Sequence, residues 1–426
     1  MTLFLKKIGA LTSKPYAFTA RPWELKRYNT IDLFDSLGSN LIVDVRNSEI
    51  MRITPQLNNK LNEEWITDKA RFSYDLLNKW RFNTPVLKIN DNFINISWKE
   101  ALVLLEKKIH CKRTLINLKI GSILDLESLF LLKKLIYKNE NIFYKSEKKI
   151  HSWSIDFSSN KSTKYLLYDI NLRLLNPILN LKLRKKSIKL KNSFIYIGNT
   201  VNSTIYIRHL GLGLVFLKKV FSGKSFFSKE LMKKDICLIT TYTNITKNFH
   251  VFTKNINYLS EYHIENNLTA LNLPNKKGIK TVKDTINYFI GQFFEKKIKG
   301  FTILQSSFIS KKIIKEFDLV LPTLNWFEEE QKNLNCFLLP QVTSKVLQGP
   351  FNAKSNKEIL GYLLKEKDLS HLNLELGFNS KKIVKTRMPL TTKYPSKVIK
   401  KPNNIIKYNY HLSSDFLANS KTMLKS

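Results

Sequence analysis

The sequence predicts an α/β fold, with a small β module followed by doubly wound parallel-sheet domains. Two patterns carry this. From about Thr114 onward, short apolar runs of strand length alternate with amphipathic helical stretches, the order that places helices between parallel strands. Ahead of them, Leu41–Arg46 and Glu49–Ile53 are two β-type runs separated by Asn47-Ser48, a hairpin with a two-residue turn. At 426 residues and 43% hydrophobic content, the chain has material for two or three domains with buried cores.

The elements follow in order. Gly9 to Glu24 (GALTSKPYAFTARPWE) reads as an extended strap, because Pro15 and Pro22 push the residues before them toward extended geometry. Tyr16, Phe18 and Trp23 are its anchors. Gly38-Ser39-Asn40 introduces the hairpin, and Ser97 with Glu100 forms a capping box ahead of a helix through Ile109. Asp125 to Lys138 is amphipathic, with Leu126, Leu129, Phe130 and Leu135 on one side, and Asn141–Tyr144 reads as a strand. Tyr165–Asp169 is an apolar run leading into a helix capped by Asn176 with Pro177 at its first position. Phe194–Ile197, Ile236–Ile239, Phe301–Leu304 and Phe317–Leu321 are further strand-length runs. After Gly377 the chain is Lys-rich with Pro389, Pro395 and Pro402, an extended basic tail.

The balance of 71 basic over 34 acidic residues gives +37, which raises the question of nucleic acid or an acidic surface. Only 11 of the basic residues are Arg, whereas base-edge and phosphate readers favour its bidentate fork. The balance weakens a sequence-specific reading and leaves non-specific phosphate contact open. Lys, Asn, Ile, Phe and Tyr are abundant while Gly (13) and Pro (12) are scarce; the favoured residues have A/T-rich codons, so mutational drift is one account of the charge, and a selected polyanion surface in runs such as Lys182 to Lys191 is the other.

Cys111, Cys237 and Cys336 are far apart, so neither a disulfide framework nor a zinc ribbon is written here, and a reduced compartment is expected. No apolar run approaches the ~18 residues of a membrane span.

Residues Gly9 to Glu24 closely resemble the segment after the last cluster-binding cysteine in the large iron-sulfur subunit of respiratory complex I, the NADH:ubiquinone oxidoreductase. Asn62-Glu63-Glu64-Trp65-Ile66-Thr67-Asp68-Lys69-Ala70-Arg71-Phe72-Ser73-Tyr74-Asp75 is a second match at about the family's spacing. Asn171 with Arg173, His209-Leu210-Gly211 and Asp318-Leu319-Val320-Leu321-Pro322 resemble it more thinly. The hairpin is similar to the β module that opens the catalytic-type domain of molybdopterin oxidoreductases, to which the second half of that subunit is related. In the family a Cys-Pro-Val precedes Gly-Ala-Leu and its cysteine binds a tetranuclear cluster; this chain has Lys6-Lys7-Ile8.

The resemblance implies a molybdopterin-oxidoreductase-like fold. The expected organisation is a strap contacting the cluster-bearing partner (1–30), a small β module (31–95), an α/β Rossmann-like region (96–365) and the basic tail (366–426). It implies a split, non-catalytic structural subunit of the peripheral arm of mitochondrial complex I, packing against a separate ferredoxin-like cluster-bearing chain. The expected place is the matrix side of the inner membrane. The codon-like bias, with a match that begins at Gly9 and leaves no room for a transit segment, suggests organelle encoding, and a bacterium with an A/T-rich genome would leave the same signature. This chain itself is expected to bind no cofactor and no metal, with iron-sulfur clusters and FMN in partner subunits. The alternative from another class is a basic RNA-binding or ribosome-associated protein, with salt-sensitive binding.

The expected sites are interfaces. Gly9, Ala10 and Leu11 supply cluster-adjacent backbone, and Tyr16, Phe18, Arg21, Trp23, Glu24, Trp65, Asp68, Arg71 and Tyr74 form the contact surface. The bland alternative is that both stretches fill this chain's own core. Gly211-Leu212-Gly213 lacks the third glycine of a dinucleotide loop, since position 216 is Phe216, and reads as a packed turn. Glu328, Asn335 and Gln341 match a series in the family, but Phe337-Leu338-Leu339 stands where it has Glu-Gly-Arg, offering an anionic pterin nothing. His110-Cys111 is an isolated His/Cys neighbour pair, and no metal centre is expected from it.

Overall fold

The computed structural model describes residues 16–75, 77, 81–90, 92–111, 114–121, 123–144, 164–189, 194–226, 228, 236–240, 256–259, 271, 285–291, 300–309, 314–336, 339–350 and 352–366. The expected tail, beyond its first residue, and Gly9 to Leu11 lie outside them.

β1 (Lys26–Ile31), β2 (Asn40–Arg46) and β3 (Glu49–Pro55) form an antiparallel three-stranded sheet. The turn between β2 and β3 is the expected Asn47-Ser48 pair, at φ +48° and +65°. Two left-handed residues match the right-handed twist of the flanking strands. A short helix α1 (Asp68–Arg71) follows, capped by the Thr67 hydroxyl, which accepts from the Ala70 amide.

β4 (Val86–Ile89) and β5 (Asn92–Asn95) come next, then α2 (Trp98–His110), whose Ser97/Glu100 capping box is present. β6 (Leu115–Ile120), α3 (Leu126–Lys138, capped by Asp125) and β7 (Ile142–Tyr144) continue the alternation. β8 (Lys164–Tyr168), α4 (Leu172–Leu175), α5 (Pro177–Lys189), β9 (Phe194–Ile197), β10 (Arg208–Gly211), α6 (Gly213–Phe221), β11 (Ile236–Thr240) and β12 (Ile256–Leu259) then build one sheet in the order β10-β9-β8-β11-β12, parallel throughout. β13 (Thr285–Ile290), β14 (Phe301–Ser306) and β15 (Leu319–Pro322) return to a seven-stranded sheet ordered β5-β4-β15-β14-β13-β6-β7. Its five strands from β15 to β7 are parallel, and β4 and β5 add antiparallel at one edge. A ribbon of β16 (Lys332–Leu334) and β17 (Pro340–Val342) and the helix α7 (Asn356–Leu364) close the described chain.

Three expectations change. Residues 86–95, placed in the β module, join the larger sheet instead, β4 pairing with β15 and β5 with β4. The region 96–365 carries two parallel sheets, the five-stranded one inserted in sequence between β7 and β13. The strand expected over Phe317–Leu321 begins at Leu319, and Phe317 before it packs edge-on against Phe289 at 5.4 Å.

Both faces of the larger sheet are covered, as parallel strands require. Leu105 and Ile109 of α2, Leu129 and Leu132 of α3 and Ile359 and Leu360 of α7 pack on Tyr288 and Ile290. Phe289 points the other way, into a cluster with Leu304 and Val320. Each buried Leu or Ile here is worth roughly 2–5 kcal/mol against Ala. The β module buries Ile31, Val43 and Ile53 against Phe308, Trp326 and Phe327 from the loops after β14 and β15. Leu37 instead joins the five-stranded sheet's core with Tyr165, Phe194 and Cys336. The Asp35–Ser39 turn is therefore the joint of module and sheets.

Candidate functional site

In open α/β sheets, ligands bind outside the carboxyl ends of the parallel strands. At that end of β14 and β15 the chain places its own side chains. Arg81 donates to the carbonyls of Ser307 (2.8 Å) and Thr323 (2.9 Å) and pairs with the Glu328 carboxylate. Glu328 also accepts from the Asn325 amide at 2.9 Å. Burial pushes the Glu328 carboxyl up and the Arg81 guanidinium down, while each charge opposes the other's shift. An arginine keeps its proton in proteins, and its charge opposes the rise of the Glu328 carboxyl. Trp326 fills the adjacent space, edge-on to Phe34 at 5.1 Å and Phe308 at 5.7 Å. The ends of β6 and β13 meet at glycines: a Cβ on Gly291, at φ +97°, would lie 3.2 Å from Gly121 Cα.

A second polar group sits between the N-termini of α3 and α7. Glu127 accepts from Lys332 at 2.7 Å on one oxygen and from Lys357 at 2.8 Å on the other. Burial opposes its charge, but the two lysines win and its carboxyl is lowered. Asp125 accepts from the Ser128 amide at 3.2 Å, and the Gln331 side-chain amide donates to Glu329 at 2.7 Å. Burial, reinforced by Asp125, pushes Glu329 up to about 8. Burial also raises Asp125.

The expected interface residues divide. Tyr16 lies under the Arg52 guanidinium at 4.3 Å, and Glu24 pairs with Arg46 at 3.1 Å while closing a capping box with the Arg21 amide. The strap is thus pinned to this chain's own hairpin. Phe18, at φ +64°, and Trp23 face outward, Trp23 being 79% exposed with Arg21 over its ring. Trp65 is 56% exposed. Asp68 begins α1 and is exposed, Arg71 is half-buried, and Tyr74 packs against the module core, where burial raises its hydroxyl.

Gln341 donates to the Gly38 carbonyl, Glu328 holds Arg81, and Asn335 Oδ1 accepts from the Leu339 amide at 2.9 Å. All three family-matching residues serve internal contacts. Gly211 is closed by the Phe216 ring, which a Cβ would meet at 2.8 Å, whereas a Cβ on Gly213 would meet nothing within 4 Å and Leu212 is 61% exposed, so only the first glycine of Gly211-Leu212-Gly213 is packed. Among the described residues, no group of three His, Cys, Asp or Glu could hold a metal ion, and no helix is long and apolar enough to cross a membrane.

Sequence reasoning missed Arg81, Glu127, Glu329 and Lys357 as interacting groups. One signal was available: Glu328-Glu329-Glu330 is a run of three acids in a chain of +37.

Residues 81–366 match the family described as molybdopterin oxidoreductase. Residues 25–75 match the NADH-ubiquinone oxidoreductase NDSU1/NuoG-like 4Fe-4S domain. The chain is 30% identical over 416 residues to the NADH-ubiquinone oxidoreductase 75 kDa subunit of Acanthamoeba castellanii, covering 87% of this chain and 60% of that one. It is 37% identical over 265 residues to the protein of that name in Reclinomonas americana, covering 56% of this chain and 38% of the relative. The 78 kDa subunit of the mitochondrial NADH-ubiquinone oxidoreductase of Candida albicans is 34% identical over 272 residues, covering 60% of this chain and 38% of its own. The chain thus spans 60% and 38% of the first two relatives' lengths. Among solved structures, acetylene hydratase from Pelobacter acetylenicus aligns over 81% of this chain and 70% of its own, with 10% identity and a TM-score of 0.49.

The second family match corrects the expectation that this chain binds no cofactor and that clusters belong to partner subunits alone: a 4Fe-4S-type domain lies within residues 25–75 of this chain. That span holds neither cysteine nor histidine, and such clusters are held by thiolates, so the ligand set does not lie within it and no step is derived through a cluster. An anionic pterin likewise finds a poor fit between β14 and β15, where Glu328 neutralises Arg81. With its match covering well over half its length, the chain belongs to the molybdopterin oxidoreductase family, in a form that also carries a NuoG-like 4Fe-4S domain.

Proposed function

We propose that this chain is a structural subunit of the peripheral arm of a mitochondrial NADH:ubiquinone oxidoreductase, on the matrix side, and that it docks a ferredoxin-like, cluster-bearing component. The observation that carries the reading is the outward aromatic set: Phe18 and Trp23 on a strap tied down by Arg46 and Arg52, and Trp65 on a loop whose Trp65 carbonyl accepts from the Asn62 side chain at 3.1 Å. Rigidly held, solvent-facing aromatics are the residues that dominate interface energies. The relatives' names supply the assembly, and that of the Candida albicans protein supports the mitochondrial location.

A structural role is supported by the carboxyl end of the larger sheet, where Arg81, Glu328 and Trp326 spend their groups on each other and on backbone. Covering a cluster with packed protein excludes water from it, which tunes its potential. The test is native purification in mild detergent, with co-migrating chains identified by mass spectrometry. Flavin- and cluster-bearing chains with NADH dehydrogenase activity are expected; ribosomal proteins or RNA in their place would overturn the proposal.

A further inference from the structure

We propose that the seam between α3, α7 and the segment entering β16 is a proton-binding site, in which Glu329 carries one proton at neutral pH and gives it up as the surroundings turn alkaline. The inference is independent of what the chain assembles with.

Three buried carboxylates act on one another electrostatically there, Asp125, Glu127 and Glu329, at 1%, 6% and 7% exposure. Two ammonium groups face them, Lys332 and Lys357, and both are hydrogen-bonded to Glu127, one on each oxygen. Lys357 also donates to the Glu330 carbonyl at 3.2 Å. Among the described residues, neither Asp125 nor Glu329 forms a salt bridge. The remaining charge on α7, Glu358, is turned toward its own N-cap, accepting from the Ser355 amide at 3.2 Å. Three carboxylates against two ammonium groups leave at least one negative charge in surplus, and Glu358 adds its repulsion to Glu329, in a buried site where an unpaired charge is far costlier than a neutral carboxyl.

The hydrogen-bond inventory points the same way. Asp125 Oδ1 and Gln331 Oε1 are buried acceptors with no donor, and their residues are 1% and 2% exposed. An ionised carboxylate only accepts, whereas a protonated one also donates. A proton on Glu329 removes one surplus charge and adds a donor to a seam in which the Gln331 side chain already contacts Glu329. The upward shift of Glu329, caused by burial and then by Asp125, agrees with this geometry. The consequence is mechanical. The loop from Asn325 that carries Trp326 and Glu328 is joined to α3 and α7 through this seam, so losing the proton loosens that joint.

Infrared difference spectra of the full chain, titrated from mildly acidic to alkaline pH, test the proposal. A carboxylic-acid carbonyl band present at neutral pH and lost on alkalinisation is expected, and Glu329→Gln, which keeps the volume and the donor, abolishes that component. Asp125→Asn removes the facing like charge, and relief of that repulsion lowers the pH at which the proton leaves by about one unit, tenfold in proton affinity. A spectrum with no protonated carboxyl assignable to Glu329 at neutral pH, or no downward shift in Asp125→Asn, overturns it.

Discussion

The side-chain amide of Gln341 donates a 2.9 Å hydrogen bond to the carbonyl oxygen of Gly38, joining residues 303 positions apart. Around this contact the Cys336 amide donates to the Ser36 carbonyl at 2.7 Å, and Asp35 receives the amides of Leu37 and Gly38 and the Ser39 hydroxyl. The turn is an internally wired rivet between the β module and the sheets. Gly38 sits at φ +64°, and a Cβ there would lie 1.7 Å from Gln341 Oε1.

Gly38→Ala is therefore expected to cost more than about 2 kcal/mol, through both the left-handed backbone and displacement of Gln341. Gln341→Ala should cost about 1–3 kcal/mol by leaving the Gly38 carbonyl unpaired. Denaturant midpoints check both, and values within ~0.5 kcal/mol of wild type would show that the joint is not holding.

Breaking the Arg81–Glu328 pair from one side should be severe. The side chains are 11% and 5% exposed, and removing one partner of a buried pair costs about 3–5 kcal/mol. Glu328→Ala should be worse than the double substitution Arg81→Met/Glu328→Leu, which leaves no uncompensated charge. Equilibrium unfolding of both variants decides it; a double variant less stable than the single one would show that the buried charge is not the costly element.

Asp32 gives a pH prediction with a defined sign. Burial, then repulsion from Asp35, holds its carboxyl well above the ordinary value of 3.8. Between the unfolded and folded values the native chain binds the extra proton, so this group's contribution to stability falls as pH rises from about 4 through the folded value. Asp32→Asn should flatten that part of the stability-versus-pH curve. Thermal melts at a series of pH values check it, and an unchanged slope in the variant would rule Asp32 out as the titrating group.

The parts of the fold legible in the sequence are the local ones. The Asn47-Ser48 hairpin, the Ser97/Glu100 box and the Asn176/Pro177 helix start each appear where their chemistry places them. β13, the middle of the five parallel strands, carries no such signal. Its TINYFI run offers little periodicity because both faces are buried, and of its two partners, β14 follows next in the chain while β6 comes from distant sequence. The joining of β4 and β5 to the larger sheet and the Arg81–Glu328 and Glu127–Lys357 pairs are likewise tertiary facts. Residues 247 and 230 positions apart leave no spacing to read. The aromatic strap is visible as a stretch, but which of its rings turn outward depends on Arg46 and Arg52 of a hairpin further along.

The outward rings should matter for assembly and little for folding. Trp23→Ala and Trp65→Ala are expected to change chain stability by no more than about 0.5 kcal/mol, yet to weaken association at least tenfold, as loss of a central aromatic does. Melting curves of the isolated chain, set against yields of assembled complex, separate the two effects.

Docking of a cluster-bearing component on the strap is tested most directly by photo-crosslinking from a benzoylphenylalanine placed at Trp23 in the native assembly. Adducts to a cysteine-rich, cluster-bearing ferredoxin-like segment are expected. Adducts confined to residues of this chain's own hairpin, or to ribosomal proteins, would contradict it.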